Sequence, residues 1–443
     1  MIWVELLLLL TCILIGSRLG GIGMGTMGGL GLFIFTFVFH LPPGGPPVTV
    51  LFMILAVITA LSSMEAVGGL TYLVNIAEKV MRKNPKSITF VAPFVTYALI
   101  FMSGTQHVIY ALLPVIAEIS RKSGIRPERP LSISVIAATA GLIASPISAA
   151  TVALVGTLAG RQVELSDVMV IIIPSTLLAV LIGAFVVSKR GVDLKDDPTY
   201  QKLLSEEKFK DIEGAEVLSG QALKQARGST FTFFAGVLFV VIIGLFPQLR
   251  PEYQEVVNGE LVTKQVAMAE AIMIIMLAIA AVIMLAFKAK PQQAVTGSIM
   301  RSGIVAVLSI LGISWLGSSF FEGNETVIVS EISQLIEGQE WLFALGLFAL
   351  SVLLFSQAAT VVTLVPVAVA LGIPTPLIIA LYPAVNGIFF LPTYGTILAA
   401  VSFDQTKTTH IGKYLLNHSF MLPGLVVTIS ATAIALLINQ ILN

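Results

Sequence analysis

Four short polar stretches interrupt an otherwise apolar chain and hold most of its candidate chemistry. They are Ser103-Gly104-Thr105-Gln106-His107, Ser145-Pro146-Ile147-Ser148, Ser356-Gln357-Ala358-Ala359-Thr360 and Pro392-Thr393-Tyr394-Gly395-Thr396. Their side chains are hydroxyls, amides, a phenol and an imidazole, groups that exchange hydrogen bonds with a small polar ligand. They form no catalytic set: no nucleophile has a paired base, and no phosphate loop or zinc spacing occurs. We therefore expect a protein that is not an enzyme, with no metal and no cofactor. His107 reads either as a neutral imidazole on a carbonyl or as a ligand donor and proton site. Gly23-Met24-Gly25-Thr26-Met27-Gly28 matches a dinucleotide fingerprint by letter only, since no strand precedes it. Gly21/Gly25 and Gly25/Gly29 give instead the small-xxx-small spacing of close helix contact.

The elements that position these stretches follow from composition. The 443 residues are 56% hydrophobic and only 11% charged, with a mean hydropathy of +0.95. Soluble domains carry about 25% charged residues. Several apolar runs approach the ~20 residues that span a bilayer. This is the pattern of an all-α polytopic membrane protein. The zero net charge gives no field that would attract nucleic acid. The single cysteine, Cys12, excludes an intrachain disulfide. The first apolar run carries Glu5 and no basic leader, so it reads as a retained span. Glu65 and Glu270 lie near span ends, where solvation at the interface is the expected role.

The turn cluster Pro42-Pro43-Gly44-Gly45-Pro46-Pro47 breaks the chain early. The stretch Lys189–Gly228 carries eight basic and eight acidic residues and reads as a linker between two halves. With the N-terminus outside, 22 of the 25 Lys and Arg fall on inner segments, as the positive-inside rule requires. Only Arg161, Arg250 and Lys264 then lie outside, and Glu322–Glu340, with five glutamates, reads as an outer loop. This topology needs Ile88–Glu118 to enter and leave on one side. Its arms of about 14 residues rise about 21 Å, short of the ~30 Å core, so a re-entrant hairpin is favoured over two short spans. Trp341–Leu371 reads the same way from the other side.

The expected plan is two inverted repeats, with about ten transmembrane helices, two of them broken, plus two re-entrant helical hairpins. The first repeat covers 1–188, with an inner hairpin at 88–118 and a broken helix at 131–160. The linker is 189–228. The second repeat covers 229–443, with an outer hairpin at 341–371 and a broken helix at 376–403. Ser103 precedes Pro114 by 11 residues and Ser356 precedes Pro366 by 10. Interrupted hydrophobic segments at matching places in two halves point to the binding site of a secondary transporter.

Non-helical backbone at membrane depth survives only where protein or a water-filled cavity surrounds it. The four half-helices that follow the interruptions aim N-termini at them. Each carries roughly +0.5 charge, together about +2, which matches a dicarboxylate dianion. No Lys or Arg lies within 88–118, 131–160, 341–371 or 376–403. An anion there would be held by dipoles and hydroxyls. The candidate binding residues are Ser103, Gly104, Thr105, Gln106, His107, Ser145, Pro146, Ser148, Ser356, Gln357, Thr360, Pro392, Thr393, Tyr394 and Thr396. Glu78 and Arg82, four apart on a basic segment, read as a surface pair or a gate. Arg126 lies in Arg126-Pro127-Glu128-Arg129-Pro130, where a topogenic and a transport-associated role are both open.

These motifs, with Ala77-Glu78-Lys79, Arg82-Lys83-Asn84-Pro85-Lys86, Ile125-Arg126-Pro127 and Thr408-Thr409-His410-Ile411-Gly412, resemble the anaerobic four-carbon dicarboxylate transporters of bacteria, the Dcu family of A/B type. The likeness runs nearly end to end. Asp196-Asp197-Pro198 and the stretch from Ser356 to Thr360 resemble the A branch more closely. The resemblance implies transport of fumarate, succinate, malate and aspartate across the bacterial inner membrane by electroneutral exchange in anaerobic metabolism. The Lys and Arg count puts the termini in the periplasm and the linker in the cytoplasm, and the broader ion-transporter superfamily that the chain resembles implies a homodimer and an elevator-like moving unit. A sensor kinase is a further partner under this reading. A sodium- or proton-coupled symporter and a dicarboxylate-binding co-sensor are the alternatives. Gln106 stands where the family pattern has Gly, and Gly395-Thr396 where it has Pro-Ser or Pro-Thr.

Overall fold

A computed structural model describes residues 2–19, 22–161, 163–206, 218–257, 260–336, 339–392, 394–412 and 416–442. The chain begins with α1 (Ile2–Leu19), α2 (Gly23–Phe33), α3 (Val48–Glu65) and α4 (Gly69–Lys83). Then come α5 (Ile88–Ser103), α6 (Ile109–Lys122), α7 (Glu128–Ala144), α8 (Ala149–Leu158), α9 (Leu165–Ser188) and α10 (Pro198–Ser205). Next are α11 (Gly220–Leu245), α12 (Met268–Phe287), α13 (Pro291–Thr296) and α14 (Ser298–Ile336). The last are α15 (Phe343–Leu354), α16 (Gln357–Ala370), α17 (Thr375–Leu381), α18 (Gly395–Phe403) and α19 (Met421–Leu442). Eight described helical segments are long and apolar enough to cross a membrane, and five shorter apolar ones accompany them.

Two compact units divide the chain. One comprises Met1–Leu70, Thr151–Val170 and Leu218–Gly323; the other comprises Thr71–Ala150, Ile171–Val217 and Asn324–Asn443. Each unit draws on both halves of the sequence. The first unit contains α1–α3 and α11–α13. Here α2 lies against α14 through glycine: a Cβ on Gly25 would stand 2.1 Å from the Leu308 carbonyl oxygen, and one on Gly28 2.3 Å from the Gly312 carbonyl carbon. A Cβ on Gly29 would meet nothing, so the contacting pair is spaced by three residues, not four. Gly21 lies outside the described residues. The turn cluster seats on α14 as well, where the Gly44 amide donates to Ser319 Oγ at 2.8 Å.

Glu65 does more than meet solvent. Its carboxylate accepts from the Ser298 amide (3.2 Å), the Ser298 hydroxyl and the Ile299 amide (3.1 Å). A carboxylate on the open amides of a helix N-terminus is a favourable cap, and here it begins α14. That helix runs 39 residues, about 58 Å at 1.5 Å per residue. The outer loop expected over 322–340 is therefore mostly helix. Three of the five glutamates, Glu322, Glu325 and Glu331, fall within α14, and glutamate is itself a good helix former, so its charge does not mark a helix end. The strands β1 (Glu252–Val257) and β2 (Glu260–Gln265) form an antiparallel hairpin, which adds a small β element to the helical plan. The dipeptide Asn258-Gly259 between them is a strong hairpin signal in sequence.

The second unit holds both helix pairs, the second broken helix and, of the first, α7 with the break that follows it as far as Ala150. Helices α5 and α7 pack closely: a Cβ on Gly141 would stand 2.7 Å from the Tyr97 carbonyl oxygen, and Tyr97 Oη pairs with Thr176 Oγ1 at 2.8 Å. Nearly every residue of α7 is buried, as a helix without a polar face requires.

Candidate functional site

Both helix pairs turn through a left-handed residue. Gly104 ends α5 at φ +62, its amide donating to the Ile100 carbonyl at 2.8 Å. Phe355 ends α15 at φ +49, its amide donating to the Ser351 carbonyl at 3.1 Å. Glycine adopts this conformation freely. A bulky residue does not, and Phe355 holds it while stacking on Tyr394, with ring centroids 6.4 Å apart and an interplanar angle of 7°. Ser356 then caps α16, accepting from the Ala359 amide at 3.2 Å, and Thr360 Oγ1 donates back to the Ser356 carbonyl at 2.8 Å. Ser103 Oγ donates to the Thr105 carbonyl at 3.3 Å. These three tip hydroxyls thus secure the turns.

The first broken helix stops at Ser145, which is extended at φ −73, ψ 127. Pro146 follows, and α8 starts at Ala149. The second break is longer than the kink expected at 391–396. After α17 the chain makes two short 3-10 turns, Tyr382–Val385 and Gly387–Phe389, and becomes α-helical again only at Gly395. Pro383 and Pro392 each remove a helix donor. Gly387 is pressed against α15, where its amide donates to Ser351 Oγ at 2.9 Å and a Cβ would stand 2.6 Å from the Phe348 carbonyl oxygen.

The four elements meet. The first turn touches the first break, where a Cβ on Gly104 would lie 2.8 Å from Ile147 Cγ1. It touches the second break as well, where Tyr394 Oη donates to Gln106 Oε1 at 3.2 Å. Tyr110 of α6 closes on Gly395, whose Cβ would stand 2.4 Å from the phenol oxygen. At the second turn, Gln357 Nε2 donates to the Thr139 carbonyl of α7 at 3.2 Å and to Asn386 Oδ1. Thr428 Oγ1 of α19 supports this corner by donating to the Asn386 carbonyl at 3.5 Å. Asn386, Thr139 and Tyr110 escape a reading based on sequence. Asn386 is one polar residue in an apolar run, although Pro383 and Gly387 flank it.

Five buried polar atoms at these turns and breaks have no hydrogen-bond partner among the described residues: Gln106 Nε2, Ser145 Oγ, Gln357 Oε1, Asn386 Nδ2 and Thr396 Oγ1. Buried polar groups are normally paired, and an unpaired one costs about 1–3 kcal/mol. Of the thirteen such atoms among the described residues, five fall at these turns and breaks. Ser148 and Pro392 are also buried, and Thr105 lies in the first turn. The His107 side chain and Thr393 lie outside the described part of the structure.

The charged candidates stand elsewhere. Arg82 Nε pairs with Glu78 at 2.7 Å and Arg82 Nη2 with Glu118 at 3.2 Å, while Lys122 pairs with Glu118 at 2.6 Å. This joins α4 to Glu118 of α6, about 14 Å along that helix from its start. Arg126 bridges Glu128 and Asp197, each at 2.7 Å, at the start of α7. Glu128 is 2% exposed and also accepts from Ser419 Oγ at 2.8 Å. Asp197 caps α10 through the Thr199 and Tyr200 amides. Burial alone would raise the Asp197 carboxyl, but the Tyr200 amide and the Arg126 guanidinium outweigh it and hold the group below its ordinary value.

The fold and site together define a multi-pass helical membrane transporter. The chain belongs to the anaerobic C4-dicarboxylate membrane transporter family, whose model matches residues 1–443. It is 40% identical to the C4-dicarboxylate transporter DcuA of Escherichia coli strain K12 over 430 residues, 96% of each chain. It is 38% identical to the anaerobic C4-dicarboxylate transporter DcuB of Escherichia coli O157:H7 over 431 residues, 96% of this chain and 95% of that one. Wolinella succinogenes DcuA is 37% identical over 442 residues, 99% of both. Among solved structures, the Alcanivorax borkumensis YdaH transporter matches with a TM-score of 0.55 at 15% identity, covering 93% of this chain and 89% of that one. Neisseria gonorrhoeae MtrF matches with a TM-score of 0.53 at 14% identity, covering 92% and 84%. Both share the fold.

Proposed function

We propose that this chain carries four-carbon dicarboxylates (fumarate, succinate, malate and aspartate) across the bacterial inner membrane, exchanging one for another. The observation that carries this reading is the meeting of two helix turns and two helix breaks around unpartnered buried amides and hydroxyls, with no Lys or Arg in those elements. A dianion suits such a place. Amide and hydroxyl donors replace its hydration, and the N-termini of α6, α8, α16 and α18 supply positive potential without a fixed cation. Gln357 Oε1 is an acceptor and would take a bond from the amino group of aspartate. Exchange follows from the same energetics. Several unpaired buried groups disfavour an empty site that moves, whereas a loaded one is satisfied in either direction. Under this proposal the second compact unit is the elevator-like moving body, and the halves 1–188 and 229–443 are inverted repeats. The termini are periplasmic, the linker 189–228 is cytoplasmic and the assembly is a homodimer. A sensor kinase is a candidate partner of the linker.

Counterflow into proteoliposomes tests the reading. Vesicles preloaded with succinate should take up labelled fumarate rapidly, and empty vesicles slowly, with no dependence on sodium. Equal uptake into loaded and empty vesicles, or a requirement for sodium, would replace exchange with symport.

A further inference from the structure

The loop between α18 and α19 is folded around a carboxylate. Asp404 is 3% exposed. Its Oδ1 accepts from the Thr406 amide at 2.9 Å and from the Thr406 hydroxyl. Its Oδ2 accepts from the Thr408 hydroxyl at 2.8 Å and the Thr409 amide at 2.6 Å. The loop is tied to α7 through the Glu128 amide, which donates to Thr408 Oγ1 at 3.2 Å. Beside it lies a cavity of about 480 Å³ whose lining includes Ser402, Asp404, Lys407, Thr409 and His410. Thr409 is 2% exposed, and its hydroxyl has no hydrogen-bond partner among the described residues. His410 Nδ1 donates to the Thr408 carbonyl at 2.9 Å, which fixes the ring on the cavity wall. Lys407 holds a left-handed backbone at φ +59, a conformation that favours glycine and needs a compensating role for lysine.

The acidic groups nearby are already engaged. Both Asp404 oxygens accept two bonds each, and Glu128 is taken by Arg126, Arg190 and Ser419, with His410 Nδ1 at 3.9 Å. Among the described residues, the one carboxylate on the cavity wall, Asp404, already accepts two bonds on each oxygen, while Lys407, Thr409 and His410 line the same space. We infer that this cavity is a second binding site, separate from the four turns and breaks, and that it takes a small oxyanion such as phosphate. The oxyanion comes either from a dissolved anion or from the headgroup of an anionic lipid.

The test uses the full-length protein in phosphatidylcholine nanodiscs. Melting is followed with inorganic phosphate against chloride at equal ionic strength, and again in nanodiscs containing phosphatidylglycerol. Lys407→Gly removes the charge at a backbone angle that suits glycine, so without anion it should melt at or above the wild-type temperature. Thr409→Val removes the hydroxyl at nearly constant volume. The wild type should melt higher in one arm, and both variants should lose at least ten-fold in apparent affinity there. A shift with phosphate assigns a dissolved anion; a shift with phosphatidylglycerol alone assigns a lipid headgroup. No shift in either arm, or equal shifts in both variants, overturns the site.

Discussion

Gln106→Glu isolates one donor of the proposed site. Gln106 is 5% exposed; its Oε1 accepts from Tyr394, while its Nε2 is unpartnered. A glutamate keeps the volume and the bond from Tyr394, and exchanges only the free N–H donor for an acid oxygen. If that donor meets a substrate carboxylate, its loss costs about 1.5–3 kcal/mol, roughly 10- to 150-fold in affinity. An ionised glutamate at about 4 Å adds repulsion of about 4 kcal/mol at an effective dielectric of about 20. Burial raises the pKa of the new carboxyl, so the sign is definite. Transport should be partly retained at acidic pH, where the group is neutral, and should fall as pH rises through that raised pKa. Gln106→Met, neutral and close in size, should raise KM without this pH dependence. The assay is initial-rate counterflow of labelled fumarate into succinate-loaded proteoliposomes between about pH 5.5 and 8, with protein level checked by blot. Unchanged KM in both variants at every pH would refute a substrate contact at Gln106.

Three further outcomes are expected. Gly104→Ala combines a left-handed penalty of about 1–2 kcal/mol with a contact to Ile147 Cγ1 at 2.8 Å, so both Tm and maximal flux should fall; wild-type values in both would mean the turn is not tightly held. Glu65→Ala removes the cap of α14 and should cost about 1–2 kcal/mol, read as a lower Tm with KM unchanged, since the proposed site lies in the other unit. Asp197→Asn keeps an acceptor for the Thr199 and Tyr200 amides but loses the charge facing Arg126, and should increase hydrogen exchange over 194–205. Because the Asp197 carboxyl lies below its ordinary value, its stabilising contribution in the wild type is present above the unfolded pKa. It is lost only as pH falls through the depressed folded pKa, so the protection factor over 194–205, the exchange rate set against the intrinsic amide rate at each pH, should stay flat from neutral pH down to the ordinary aspartate range.

The helix turns at Ser103–Gln106 and Ser356–Gln357 were legible in sequence because a glycine or a capping serine interrupts short apolar arms. The first break was legible because Pro146 removes a backbone donor between Ser145 and Ser148, whose hydroxyls can bond the groups a break frees. The second break was legible only in part. Pro392 marked its end, but its start depends on how Asn386 and Gly387 pack against α15 and Gln357, contacts about 30 residues away. Gln357 on Thr139 spans 218 residues, and no local pattern encodes such a pairing. Charge counting placed Glu322–Glu340 in a loop because charge reports polarity and not backbone state, and α14 continues through most of it. The ion pairs of Glu78, Arg82 and Arg126 show the reverse. Their spacing was visible, while their distance from the turns was a property of the folded chain.

The most direct measurement is substrate protection of two engineered thiols. With Cys12 replaced by Ser, Ser145→Cys and Thr396→Cys place one reporter on each break, at side chains that are buried and unpartnered. Labelling with a small membrane-permeant maleimide should be slowed at both positions by succinate or fumarate, and not by a four-carbon monocarboxylate. Equal labelling with and without dicarboxylate, in variants that still exchange fumarate for succinate, would place the substrate elsewhere.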